Sequence, residues 1–495
     1  MGSIPASRIG TNLLTRILSY LKGGVTVRGT LVPLKRDEMD PRRIEALKHR
    51  ARRLSIKEGI FATARGSFGD YFISPFAIAI NASSSLIAMF SAISGLLGPL
   101  TQLFSSRLIG KYSRKSVITK SVFLESLIWL PMILVAILFQ KGIITSILPF
   151  ILFAIFSIYI ILANIGGPAW FSWMGDLVDK NKRGQWFSQR NLITGFVSIV
   201  LAIAASFFLD AFKSRNITLF GFMILFFLAF LSRIESWRII RKQYEPKIKI
   251  KKGDYFSFWS FVKKAPQTNF GKFTIFRSVL SFAGSISAPL LAVYLLRNLG
   301  FGYKTYMIVI MAGTVFSLLI LELWGKIADK YGNYFVLKIT AIPIAFIPIL
   351  WVLSPSPIYL LTVPSIISGV AWAGFGLSSG NFIYDNVQPR KRGLAISYYN
   401  MLNGLGTFFG AGLGAILIKI IKPGMLEPII VIFIIGTLAR LLAVLWGVFK
   451  IKETRKIKKV CDGKAFNHLI LKEMKPTILE EFHQIRSIRE RVFEK

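Results

Sequence analysis

Asp70 is the residue of this chain best placed to do chemistry. It stands between Gly69 and Tyr71, inside a largely apolar run from 59 to 80. An ionisable group at that depth is costly unless it faces a wet cavity or a partner. Two roles fit it. It can carry a proton or hold part of a solute, or it can form a structural ion pair with Arg65 or Arg277. Arg65 and Arg277 are in turn candidates for holding an anionic group, or for reaching out to the membrane surface. Trp170, Trp372 and Asn381 are candidates for the wall of an apolar or aromatic-tolerant pocket. Glu125, Glu322 and Arg440 also fall in apolar runs and read as structural partners, Glu322 with Lys326. No HExxH, CxxC or histidine cluster is present, so no metal is expected. No GxxxxGK[ST] loop is present either, and no cofactor is expected. With three histidines, all in the tails, a lipid-processing catalytic cluster is missing.

The elements that must position these residues follow from composition. Of 495 residues 53% are hydrophobic, and apolar runs of 20 or more recur, each long enough to cross a bilayer of about 30 Å. Twelve spans are expected, near 59–80, 84–104, 117–140, 145–175, 188–210, 217–237, 271–296, 304–326, 334–353, 357–384, 394–420 and 426–448. The fold class is therefore an all-α membrane protein. The net charge of +38 is not a nucleic-acid footprint, because Lys and Arg crowd into alternate loops and both tails. Arg107, Lys111, Arg114 and Lys115 follow span 2, Lys180, Lys182 and Arg183 follow span 4, and Arg390, Lys391 and Arg392 follow span 10. The opposite loops are short and nearly uncharged. This places both tails in the cytoplasm, against an anionic leaflet of the cell membrane.

The chain then divides into a basic extension at 1–57, a six-span half at 58–237, a basic linker at 238–270, a second half at 271–448 and a basic tail at 449–495. Leu13, Leu14, Ile17, Leu18 and Leu21 have the spacing of a helix lying on the membrane surface. The two halves repeat. Asp176, Lys182-Arg183-Gly184, Ser188, Asn191 and Gly195 recur at the same spacing as Asp385, Lys391-Arg392-Gly393, Ser397, Asn400 and Gly404. Two related halves in one membrane chain are the mark of a secondary transporter. In span 4, Gly166-Gly167-Pro168 should break the helix, and span 10 answers with Gly369, Gly374, Gly376 and Gly380. The glycines of the repeat permit close helix approach or tight turns.

Over about residues 58–448 the sequence resembles the major facilitator superfamily. The pattern G-x-L-a-D-r-x-G-R-K after span 8 is met by Gly325, Asp329 and Gly332, with Asn333 in place of Arg. The copy after span 2 keeps Arg114 and Lys115 but has Ser106, Gly110 and Ser113. The pattern ending in Arg-Gly after spans 4 and 10 is present as Asp176 with Arg183-Gly184 and Asp385 with Arg392-Gly393. The resemblance implies two six-helix bundles around a cavity, alternating access, and spans 1, 4, 7 and 10 as the cavity wall. It implies a gate in which Arg114 reaches Asp176, while Asp385 takes Arg392 or Lys330 as its partner. The expected function is movement of a small solute, with protons as a further partner, and not an enzymatic activity. The rival is a membrane scaffold that has kept the fold and lost transport, which the degenerate first motif motivates.

Overall fold

The computed structural model describes residues 41–108, 112–179, 183–246, 257–388 and 391–454, without the side chains of 41, 106–108 and 183–185. The candidate surface helix near Leu13, together with Gly110, Lys180, Lys182, Arg390 and the tail beyond 454, lies outside the described residues.

Apolar runs of this length leave one economical structure, because backbone polar groups in lipid must be satisfied within the segment. The described residues are accordingly helical. Eleven of their helices are long and apolar enough to cross a membrane: Ser84–Ser105, Arg114–Gln140, Leu148–Leu177, Trp186–Lys213, Thr218–Arg241, Asn269–Asn298, Tyr303–Tyr331, Asn333–Val352, Pro357–Asn386, Arg392–Ile420 and Pro428–Lys450. These are spans 2 to 12 in order. Span 1 is a continuous helical run made of Pro41–Arg65, a π-turn at Gly66–Asp70, and Tyr71–Ala79. Arg65 and Asp70 lower its hydropathy, which is why length and composition alone pass it over.

Span 1 begins well before residue 59, the start expected from hydropathy. Its first turns are basic on one side only. Ala51, Ser55 and Ile56 are buried, Arg52 donates to the Leu177 carbonyl at the end of span 4 (3.0 Å), and Ser55 points its hydroxyl at Met174. Tertiary packing extends the helix into sequence that reads as a solvated tail.

Span 4 divides at Gly166, as its Gly-Gly-Pro sequence predicts, into Leu148–Ile165 and Gly167–Leu177. Span 10 does not divide. Pro357–Asn386 is one helix, and its glycines pack instead: a Cβ on Gly369 would strike the Gly313 carbonyl of span 8, and one on Gly374 would meet the Trp324 indole. The same reading holds for Gly404 in span 11, whose Cβ would strike the Gly95 carbonyl of span 2.

By contacts the described chain forms two compact units. One takes the residues up to 253 with 281–311 and 397–436, and the other takes 254–280, 312–396 and those from 437 on. In the first unit a core of Val117, Val122, Trp173, Met174, Leu177 and Ile240 packs spans 3, 4 and 6 together. Trp173 is fully buried there and donates Nε1 to the Tyr244 carbonyl (2.9 Å), so it serves the core. The second unit packs Trp324, Ile327, Val336 and Ala373 in the same way.

Candidate functional site: a buried charge ladder beside a cavity

The first unit holds a ladder of alternating charges. It begins at Asp70. Residues five apart do not share a face of an α-helix, where neighbours are three and four apart. The π-turn at Gly66–Asp70 adds a residue to one turn and brings Arg65 and Asp70 together. Arg65 Nη1 donates to both Asp70 oxygens, at 2.8 and 2.7 Å. Tyr159 of span 4 donates its hydroxyl to Asp70 Oδ1 (2.5 Å) and accepts from Arg65. Gly69 is needed beside it, since a Cβ there would overlap the Trp129 indole.

The ladder continues away from Asp70. Arg65 Nε lies 3.5 Å from Glu125 of span 3. Glu125 accepts from Arg233 of span 6 at 2.5 Å. Arg233 Nη1 lies 3.9 Å from Glu58, one helix stretch back on span 1, and both share Ser236. Glu58 pairs with Arg190 of span 5 at 3.5 Å, and the Arg190 guanidinium stacks 4.6 Å from the Trp170 ring centre. Three carboxylates thus alternate with three guanidiniums. The desolvation cost of burying ions is met only because each has an opposite neighbour. From Glu58 to Asp70 the ladder runs about 18 Å along span 1 at 1.5 Å per residue.

Asp70 is the end that opens. Its side chain is 39% exposed, against 15% for Arg65 and 1% for Glu125. It lines a cavity of about 340 Å³ with Ser74, Ser91, Ser94, Phe90 and Tyr306. A larger cavity of about 660 Å³, lined by Ser84, Arg297, Asn298 and Lys419, shares no residue with it.

Of the six cavity candidates read from sequence, only Asp70 lines the smaller cavity. Arg65 stands behind it. Trp170 stacks on Arg190. Arg277 and Trp372 meet in the second unit, with the guanidinium 5.5 Å from the rings of both Trp372 and Phe375. Asn381 is half-buried in span 10. Sequence reading missed Tyr159, Arg190, Arg233 and Glu58 as members of one cluster. Charged residues recurring inside apolar spans were the available signal, and Tyr159 offered none.

In each unit the motif residues lie at the span ends next to the basic loops. Arg114 is fully buried and donates to Asp176 (2.6 Å), to Ser172 and to the Pro246 carbonyl. Glu245 lies 3.5 Å from its Nε, and Lys115 donates to the Gln243 carbonyl (2.8 Å). In the second unit Asn333, at the position where the motif has Arg, donates to Asp385 at 2.7 Å. Arg392 departs from expectation. It donates to the Tyr384 and Val387 carbonyls and stacks on the Tyr384 ring, capping span 10. Gly332 turns the chain between spans 8 and 9 at φ 91°. Gly325 and Gly393 have open space where a Cβ would stand. Glu322 pairs with Lys326 at 3.4 Å, and Arg440 donates to the Ile344 carbonyl at 3.1 Å. Of Arg183 and Gly184 only the helical backbone is described, and Asp329 lies within span 8.

Residues 60–411 match the sequence profile of the Major Facilitator Superfamily, and residues 273–481 match it again. The chain belongs to the major facilitator superfamily. It is a multi-pass membrane protein of a transporter family. No curated protein sequence matches it significantly. Solved structures do. The nucleoside transporter NupG, in a mutant form, matches with a TM-score of 0.63 at 14% identity, over 81% of this chain and 100% of that one. A bacterial homologue of the iron transporter ferroportin, in its inward-facing state, matches at 0.60 and 16% identity, over 83% and 99%. Likeness at this identity concerns the fold.

Proposed function

We propose that this superfamily member is a secondary active transporter that moves a small solute across the cytoplasmic membrane by alternating access, with both tails in the cytoplasm. The observation that carries the reading is Asp70. A ladder of otherwise enclosed ion pairs ends in one carboxylate that opens into a cavity of solute size. Such a group can exchange Arg65 for a proton or a solute group, and proton coupling is assigned to it. At the other end of the spans, Arg114 with Asp176 and Asn333 with Asp385 act as latches that part when that side opens, with Arg183, Gly184, Gly325, Asp329, Gly332, Arg392 and Gly393 shaping the loops around them. The basic loops fit an anionic leaflet. Solute passes unchanged, so no enzymatic step is assigned.

The test is counterflow in vesicles loaded with sugars, nucleosides, amino acids or amines, with an internal pH dye. Counterflow of one class is expected, with solute-driven pH change lost in Asp70→Asn. No counterflow with any class would favour the scaffold reading.

A further inference from the structure

Arg65 sits between two carboxylates but bonds only one. Its Nη1 is on Asp70. Its Nε faces Glu125 Oε1 across 3.5 Å, and both of these buried atoms lack a hydrogen-bond partner. Buried polar atoms are nearly always hydrogen-bonded, so this is a bond that a small shift of the guanidinium would complete. Glu125 has room for it, because its other oxygen, Oε2, already serves Arg233. Arg65 therefore has a second seat that keeps it paired.

The cavity says what would send it there. Among the described residues, Asp70 is the one charged side chain lining it. The rest of its polar lining is hydroxyls, from Ser74, Ser91, Ser94 and Tyr306, and Phe90 and Phe156 present rings. An anion would face the Asp70 carboxylate. A neutral solute has no charge with which to displace a guanidinium. A cation can take the carboxylate, donate to the hydroxyls and lie against the rings.

We infer that the cavity takes a solute bearing a single protonated nitrogen, that this group displaces Arg65 from Asp70, and that Glu125 receives the released guanidinium. The inference rests on the transporter reading above and names its substrate class. Glu125 is thus a positioning residue: it touches no solute and sets how easily Asp70 becomes available.

The experiment uses three probes of one shape and different charge, namely benzylammonium, benzyl alcohol and benzoate, on the full chain in detergent micelles. A ligand of the folded state raises the melting temperature. Benzylammonium alone should raise it, and Asp70→Asn should abolish the shift. Glu125→Gln should weaken benzylammonium about tenfold, because Arg65 then leaves Asp70 for no charged partner. Adding Arg65→Met to Glu125→Gln should restore the affinity, which a merely structural role for Glu125 would not do. Should Glu125→Gln fail to fold, Arg65→Met alone decides, and it should bind benzylammonium more tightly than the parent. An equal shift with benzyl alcohol or benzoate, no shift with any probe, or weaker cation binding in Arg65→Met overturns the inference. Counterflow of a neutral or anionic solute would overturn it while leaving the transporter reading intact, whereas absence of all counterflow would count against the transporter reading itself.

Discussion

Arg114 of span 3 holds Asp176 at the end of span 4 with its guanidinium wholly buried and the carboxylate half exposed, Nη1 to Oδ2 at 2.6 Å. The asymmetry decides what each substitution does. Asp176 is partly in solvent, and Asp176→Asn keeps an acceptor for Arg114, so its cost should be about 1 kcal/mol or less. Arg114→Met strands more. It removes the donor shared by Asp176, Ser172 and the Pro246 carbonyl and takes the countercharge from Glu245, and about 3 kcal/mol should be lost. Thermal melts in detergent would separate the two; equal losses would mean that the exposed carboxylate, not the buried guanidinium, is the anchor.

Gly69 gives a packing prediction beside the candidate site. A Cβ there overlaps the six-membered ring of Trp129, and overpacking of this kind costs about 1–3 kcal/mol. Gly69→Ala should lower the melting temperature and alter tryptophan emission. Trp129→Ala in the same chain should recover part of the loss, since the two changes share one space. Strict additivity of the two would mean that the clash is relieved elsewhere.

Two glycines of the same loop motif should behave oppositely. Gly332 holds φ 91° with ψ 157°, a region open essentially to glycine alone that costs an L-residue about 1–3 kcal/mol. Gly325 lies in a helix with nothing within reach of a Cβ. Gly332→Ala should destabilise, and Gly325→Ala should be neutral or slightly stabilising, by up to about 1 kcal/mol from helix propensity. A large loss at Gly325 would show that its role lies in a second conformation, which melting and flux measured together would reveal.

The contrast between these residues shows how far the sequence can be read. Hydropathy locates spans 2 to 12, because the length of an apolar run is a local property. The Gly166-Gly167-Pro168 break is legible for the same reason: lost backbone hydrogen bonds are written in the residues themselves. Gly369 and Gly374 resemble that break, yet they serve packing against Gly313 and Trp324, which no local rule distinguishes. The extension of span 1 to before residue 59 is held in part by Leu177 and Met174, far away in sequence, through Arg52 and Ser55. Asp70 is legible as a charge out of place, and Arg65 as its candidate partner. That they share a face depends on a π-turn with no sequence rule. The ladder beyond them joins spans 1, 3, 5 and 6, so Glu125 reads alone as a peripheral ion and only the fold gives it two arginines.

The ladder itself can be tested by removing charges singly and in pairs. Glu125→Met would leave Arg233 facing only Glu58, at 3.9 Å, and would remove the second carboxylate beside Arg65. Arg233→Met would leave Glu125 with Arg65 across 3.5 Å and no bonded donor. Each single change should cost about 3–5 kcal/mol, the usual result of stranding a buried ion. The double change should cost much less than their sum. Arg65 keeps Asp70, Glu58 keeps Arg190 and the Ser236 hydroxyl, and methionines fill the space between them. The coupling energy from a double-mutant cycle in detergent should therefore be large and favourable to the pair. A coupling near zero would mean that the two residues contribute as independent core side chains and that charge does not run continuously from Arg190 to Asp70.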